Sequence, residues 1–385
     1  MKVSKIIEEK VPHMVKKEFS IVSKKLAIYD TETTGIAEDD RIVQLGGLIS
    51  NGINPKKFDT VDELTYTEKR LSSMAIATTN ILPEMLEGKK VFSENEKIQD
   101  FVEKMKKSNV IAHNINFDNK MMQKEGIFFD KNQCIDTLRV ARHLLGPEHC
   151  TNDEKIESHQ LQYLRYELQL YKNEPSYEKN YGITLSAHDA FSDVVFLREL
   201  FIYLFNLLEG TFENRIKELI LLTQTPVFKD EIPWGKVFPK GTPLSEIVDT
   251  TYEQYGKTKQ GIDYLEWFLT TLKNADQYYS FKRVILEKKM SNLYKTYSAL
   301  SNKKDLFLSN KDKENILLAS IFIPMNKNKR KFLDIIYLDS IKDKIQTKII
   351  EYFSNTIENI NNSDESDDDK NQKIEMFKEL KSMLI

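Results

Sequence analysis

Three short segments place acidic and imidazole side chains at spacings suited to divalent-cation chemistry. The first is LAIYDTETTG, residues 26–35, in which Asp30 and Glu32 follow four mostly apolar residues and precede Thr33, Thr34 and Gly35. An apolar run of that length predicts a buried strand, and residues two apart on a strand share a face. Asp30 and Glu32 would then project side by side, an arrangement that is costly unless a cation neutralises it. The second segment is HNINFD, residues 113–118, at a predicted strand-to-helix junction that puts Asp118 in the first helical turn. Ligand sites of open α/β sheets lie at the carboxyl ends of their strands, so Asp118 would face the same crevice as Asp30 if their strands are neighbours. The third is HDAFSD, residues 188–193. Five residues of helix turn through about 500°, so His188 and Asp193 cannot share a helical face. Asp193 is expected on the helix body and His188 at the helix entrance, a movable base beside a fixed carboxylate, with Ala190 allowing close backbone approach.

The elements that must position these groups follow from pattern. Residues 42–50 (IVQLGGLIS) read as a second strand, antiparallel to the first, and residues 58–67 complete a meander. Residues 93–107 form an amphipathic crossover helix with Ser93 as its N-cap and Glu96 as capping-box partner. Strand 109–112, helix 116–125, strand 134–135 and helix 137–145 follow. This alternation adds parallel strands to the meander in an α/β architecture. A polar loop over residues 146–158, a helix marked by Leu161, Leu164, Leu168 and Leu170, and a long helix over residues 187–208 close the domain.

Composition places few limits on partners. The 385 residues, 40% hydrophobic and 30% charged with net charge −3, suggest two or three domains. Any surface for a polyanion must be a local patch. Two cysteines, Cys134 and Cys150, form no disulfide framework and fit a reducing compartment. Together with His143, His149 and His159 they match no compact zinc spacing. No stretch approaches the roughly 20 apolar residues of a membrane span, and the N-terminus reads as neither signal peptide nor anchor, so a cytoplasmic protein without membrane partners is expected. Residues 1–23 read as a lysine-rich amphipathic extension. Four prolines, Pro226, Pro233, Pro239 and Pro243, mark a change of texture after about residue 210. Residues 281–300 and the cluster Lys327, Lys329, Arg330 and Lys331 are basic, and the acidic run over residues 363–369 reads as a disordered linker.

In their order along the chain, Asp30-x-Glu32, Asp118 in HNxxFD and His188-x-Ala190-x-x-Asp193 resemble the three motifs of the DEDDh family of 3′-to-5′ exonucleases. Gln44-Leu45-Gly46, Asp136-Thr137-Leu138 and Ala141-Arg142 are further matches. The resemblance implies a ribonuclease H-like mixed sheet flanked by helices over residues 24–210, followed by a smaller, mostly helical region. It implies two Mg²⁺ or Mn²⁺ ions, with Asp30 bridging both, Glu32 and Asp193 completing one site and Asp118 supporting the other, and His188 as general base. Substrate contacts would come from Thr33, Thr34, His113 and Asn114. Where the family often has His-Gly-Ile, this chain has Thr79-Asn80-Ile81, so of that segment only Ile81 carries over, as an apolar wedge against the last base. Ile115 stands where alanine is frequent.

A second resemblance, to the small C-terminal module of exonuclease X-type proteins, rests on Pro233-Trp234-Gly235-Lys236, Gly241 and Tyr264-Leu265-Glu266-Trp267. It spans residues 211–280 and leaves residues 281–385 unmatched. Trp234, Lys236 and Trp267 either grip a single strand or fill a small core. The similarity tilts the substrate toward DNA, single-stranded or frayed, in repair or proofreading. RNA 3′-end trimming of the ribonuclease T type is the second reading, and a non-catalytic nucleic-acid-binding scaffold the third. Association with a polymerase or repair complex is conceivable, and nothing in the sequence sets an oligomeric state.

Overall fold

The computed structural model describes residue 10 and residues 24–55, 57–151, 156–181, 184–298, 309–324 and 345–384. The N-terminal extension apart from Lys10, and the cluster Lys327 to Lys331, lie outside the described residues. The chain divides into two compact units, one ending at Thr223 and the other beginning at Gln224.

The first unit is built on five strands: β1 (Lys25–Thr33), β2 (Ile42–Asn51), β3 (Asp59–Leu64), β4 (Asn109–Ala112) and β5 (Cys134–Asp136). Their order is β3-β2-β1-β4-β5, with β1, β2 and β3 antiparallel and β1, β4 and β5 parallel. That is the mixed sheet expected, and its topology is ribonuclease H-like. Its helices are α1 (Ser73–Thr79), α2 (Pro83–Leu86), α3 (Glu96–Met105), α4 (Ile115–Lys124), α5 (Thr137–Leu144), α6 (Leu161–Glu167), α7 (Glu174–Tyr181), α8 (Ala190–Asn206) and α9 (Phe212–Thr223).

Two adjacent glycines of β2 show how closely helices approach both faces of the sheet. A Cβ on Gly46 would lie 2.3 Å from the backbone carbon of Ala190, at the start of α8. On the other face, a Cβ on Gly47 would lie 2.4 Å from the Phe101 ring of α3. Because successive strand residues point to opposite faces, the pair Gly-Gly admits a helix on each side. The core beneath α3 and α4 includes Tyr29, Leu45, Phe101, Val102, Met105 and Met122.

Several boundaries differ from expectation for identifiable reasons. Helix α3 is capped by Asn95, whose Oδ1 accepts from the amides of Lys97 and Ile98, and not by Ser93. The buried Phe92 holds residues 92–94 in a 3₁₀ turn, which delays the helix start. Helix α9 continues the first unit beyond the break expected near residue 210. Thr223 at its end accepts a hydrogen bond from the Asp136 amide at 2.8 Å, and its carbonyl accepts from Arg139 Nε at 3.0 Å.

The second unit comprises a proline-rich loop, α10 (Leu244–Ile247), the hairpin β6 (Thr251–Gln254) and β7 (Lys257–Gln260), α11 (Gly261–Leu269), α12 (Ala275–Ser298), α13 (Asn310–Phe322), α14 (Ile345–Asn361) and α15 (Asp367–Leu384). One continuous apolar cluster runs from Ile232 to Leu384, so the expected boundary near residue 280 divides no core. The acidic run is also ordered where a linker was expected. Asp367, Asp368 and Asp369 form the first turn of α15, and Ser366 Oγ accepts from the Asp369 amide while donating to its carboxylate. Carboxylates there oppose the partial positive charge of the helix N-terminus, which makes the run a good helix start. Among the described residues no helix is long and apolar enough to cross a membrane.

Candidate active site

Asp30 and Glu32 lie within β1, which runs to Thr33, and not beyond its end. Their cross-strand partners on β2 are Gly46 and Gln44. The absence of a side chain at Gly46 allows the start of α8 to rest on the sheet beside Asp30, and Asp193 in its first turn reaches the same crevice. Carboxylate oxygens of Asp30, Glu32 and Asp193 lie within 4.8 Å of one another. Gln44 fixes the docking from the strand side. Its Oε1 accepts from the Ala190 amide at 3.3 Å, and its Nε2 donates to Asp189 Oδ1 and Asp62 Oδ1, both at 2.9 Å. Asp189 in turn caps α8 by accepting from the Ser192 amide at 2.9 Å.

Asp118 approaches from the parallel side of β1, where β4 leads into α4. Its Oδ1 accepts from the Thr31 amide at 3.2 Å and the Thr31 hydroxyl at 2.8 Å. His188 sits on the turn before α8, as its spacing predicts, with φ +62°. This left-handed conformation turns its amide back to donate to Asp193 Oδ2 at 3.2 Å, while the residue is exposed. The carboxylates of Asp30, Glu32 and Asp193 thus come together, with Asp118 near enough to act on Asp30 and the His188 backbone held against Asp193.

Burial and mutual repulsion raise the carboxyl pKa values. Asp30 is raised well above the usual range, by burial first and then by Asp118, Glu32 and Asp193. Glu32 is pushed up to about 8, by burial and then Asp193, Asp118 and Asp189. Burial likewise brings Asp118 and Asp193 to about 7. A hard divalent cation is the counter-charge this all-oxygen donor set fits, and Asp30, Glu32 and Asp193 are the residues placed to hold it.

The expected substrate contacts are differently disposed. Thr33 is buried, with its hydroxyl on the Gly35 carbonyl at 2.9 Å, and the β1–β2 register shifts between Glu32 and Thr33. The Thr34 hydroxyl is held by Asp40 Oδ1 at 2.6 Å. Both His113 ring nitrogens are engaged, Nδ1 with the Thr137 hydroxyl and Nε2 with the His159 carbonyl, each at 2.9 Å. Burial lowers its pKa to about 4, so the ring is neutral. Asn114 is exposed at φ +70°, its amide donating to Asp136 Oδ1 at 3.0 Å. Ile81 is 3% exposed and packs with Val43, Leu71 and Leu86, so in this structure it offers no open apolar surface. Asn80, in the place of the family's frequent glycine, caps α1 at φ +58°, a conformation asparagine tolerates.

Sequence reasoning missed Thr31, Asp189 and Gln162, whose Nε2 donates to Asp193 Oδ1 at 2.7 Å. Thr31 lies between the two acids of the first motif and alternation sends its side chain to the opposite face. Asp189 before a helix is a legible capping signal. Nothing local marks Gln162.

Fold and site together define a nuclease domain. Residues 27–201 match the sequence model of the RNase_T exonuclease family. It is 29% identical over 144 residues to the PolC-type DNA polymerase III of Thermotoga petrophila, a match that covers 36% of this chain and 10% of that protein. It is 23% identical over 368 residues to the PolC-type DNA polymerase III of Ureaplasma parvum, covering 92% of this chain and 22% of that protein. The chain therefore spans about a tenth to a fifth of the curated relatives it matches. Among solved structures, exonuclease I in its apo form aligns over 93% of this chain and 98% of its own, at 13% identity and a TM-score of 0.37.

Proposed function

We propose that this chain is a DEDDh-type exonuclease that hydrolyses DNA from its 3′ end in the presence of Mg²⁺ or Mn²⁺, releasing nucleoside monophosphates. The observation that carries this reading is the convergence of Asp30, Glu32 and Asp193 within 4.8 Å, beside Asp118 and an exposed His188. Two divalent ions held by these carboxylates would supply Lewis-acid stabilisation of the charge that develops on the phosphoryl oxygens. The protein's own residues do the rest. His188 accepts the proton from the attacking water, and its exposed position on a turn lets it reach a bound strand. A P–O bond to the water oxygen forms, the bond to the 3′ oxygen of the preceding nucleotide breaks, and that oxygen takes a proton from solvent water and leaves as a 3′ hydroxyl.

We assign the terminal 3′ hydroxyl to Glu32 and the backbone of Thr33, where the β1–β2 register shifts. Replicative polymerases among the relatives support DNA as substrate and a role in proofreading or repair, alone or in association with a polymerase. In the second unit Trp234 and Trp267, 49% and 58% exposed, are available for base stacking. The test is a time course on 5′-labelled single-stranded DNA and RNA of matched sequence, with Mg²⁺ or Mn²⁺ and an Asp30→Asn control. A ladder shortening from the 3′ end of DNA, dependent on metal and on Asp30, is expected. A ladder on RNA alone overturns the DNA assignment, and none on either overturns the enzyme.

A further inference from the structure

Helix α8 presents three residues at spacings of three, Asp193, Phe196 and Glu199, to the segment that carries α6 and α7, and each is engaged by it. Asp193 Oδ1 accepts from Gln162 Nε2 at 2.7 Å. The Arg165 guanidinium lies 3.8 Å above the Phe196 ring. Glu199 Oε2 accepts from Asn173 Nδ2 at 2.7 Å, and the Tyr177 hydroxyl donates to Oε1. Residues three apart are neighbours on a helix surface, so these anchors form one stripe.

Within the stripe, Gln162 has no freedom of orientation. Its Oε1 accepts from Arg165 Nη1 at 3.0 Å. Arginine has only donors, so the amide oxygen must face Arg165 and the amide nitrogen must face Asp193. Arg165 is itself fixed by a two-pronged pair with Glu174 of α7, Nε to Oε1 at 2.5 Å and Nη2 to Oε2 at 2.6 Å, and both side chains are largely buried. A charge-assisted fork of this kind is directional as well as strong. The order runs from Glu174 through Arg165 and Gln162 to Asp193, and it ends on an oxygen of the cation-binding cluster. The other oxygen of Asp193 is held by the His188 amide.

We propose that Gln162, oriented by the Arg165–Glu174 pair, is a positioning residue that sets the Asp193 carboxylate for cation binding. The segment carrying α6 and α7 thereby becomes part of the active site without touching substrate. This rests on the metal-dependent reading above. Outer partners of metal-binding groups alter affinity by about 10–100-fold when removed.

The test is calorimetric titration of Mn²⁺ into the wild-type protein and into Gln162→Leu and Arg165→Lys variants, with unfolding midpoints recorded in EDTA. Gln162→Leu should weaken Mn²⁺ binding about 10–100-fold while its midpoint in EDTA stays near wild type. Arg165→Lys, which loses the fork but keeps the charge, should weaken it to an intermediate degree. Equal Mn²⁺ affinity in wild type and both variants overturns the positioning role and leaves the enzymatic reading standing. A wild-type protein that binds no Mn²⁺ overturns the metal-dependent reading itself.

Discussion

The closest approach between sheet and helix at the site is also the most direct way to disturb it. In a Gly46→Ala protein the new Cβ would lie 2.3 Å from the Ala190 carbon, and ordinary contact begins near 3.4 Å. Both contacting groups are backbone, so no side chain can swing away, and the start of α8 must lift by roughly 1 Å. Asp193 and His188 ride on that end of the helix, whereas Asp30 and Glu32 stay with β1. Overpacking of this kind costs about 1–3 kcal/mol, which for a unit of this size lowers the unfolding midpoint by about 2–12 °C. A misplacement of about 1 Å in a catalytic site lowers turnover about 100-fold. Gly47→Ala is the matched control, because its Cβ would meet the Phe101 ring at 2.4 Å on the face opposite Asp30, Glu32 and the start of α8. Midpoints from thermal unfolding, and kcat and KM on a labelled oligonucleotide, should separate the two. Both variants should lose stability, and only Gly46→Ala should lose turnover out of proportion. Wild-type kcat in Gly46→Ala, or equal losses of turnover in the pair, would refute the role of this contact.

Further expectations concern charge, the base and the second unit. The raised values of Glu32, Asp118 and Asp193 mean that the metal-free native state holds protons the unfolded chain has released above about pH 4. Stability in EDTA should therefore fall as pH rises from about 5 to 8, and saturating Mn²⁺ should flatten the dependence; a midpoint that rises over this range in EDTA would contradict the assignment. His188→Asn keeps a residue that tolerates φ +62° while removing the imidazole. It should lower kcat about 100- to 10,000-fold with little change in Mn²⁺ affinity, and an unchanged kcat removes His188 as the base. The chain has two tryptophans, both half exposed in the second unit, so its indole fluorescence reports on Trp234 and Trp267 alone. Single-stranded DNA added to inactive Asp30→Asn protein should quench it, and emission unaffected at saturating DNA would exclude stacking there.

The chemistry-bearing residues were legible because their constraints are local. Alternation along β1 places Asp30 and Glu32 on one face, and the helical angle between His188 and Asp193 sends the histidine to the preceding turn, where it stands. Helix ends were less legible. Both Ser93 and Asn95 can cap, and a buried phenylalanine decided between them. The β6–β7 hairpin escaped notice because its turn uses Tyr255 and Gly256, at φ +52° and +70°, where asparagine-glycine is the usual signal. Gly46 was read as part of a motif, and its purpose depends on a helix more than 100 residues later, while the pairing of Gln162 with Asp193 spans 31 residues. Contacts of that range leave no trace in a local pattern.

The bond between Gln44 and Asp189 joins residues 145 positions apart, and it has a consequence for the order in which the molecule is made. During synthesis the strands that carry Asp30, Glu32 and Asp118 leave the ribosome well before α8 does. A growing chain can therefore assemble its sheet while still lacking Asp193 and His188, since domains form as their segments emerge. The acidic cluster is complete only once α8 docks onto Gly46, so a chain that has not yet reached α8 holds Asp30 and Glu32 without Asp193.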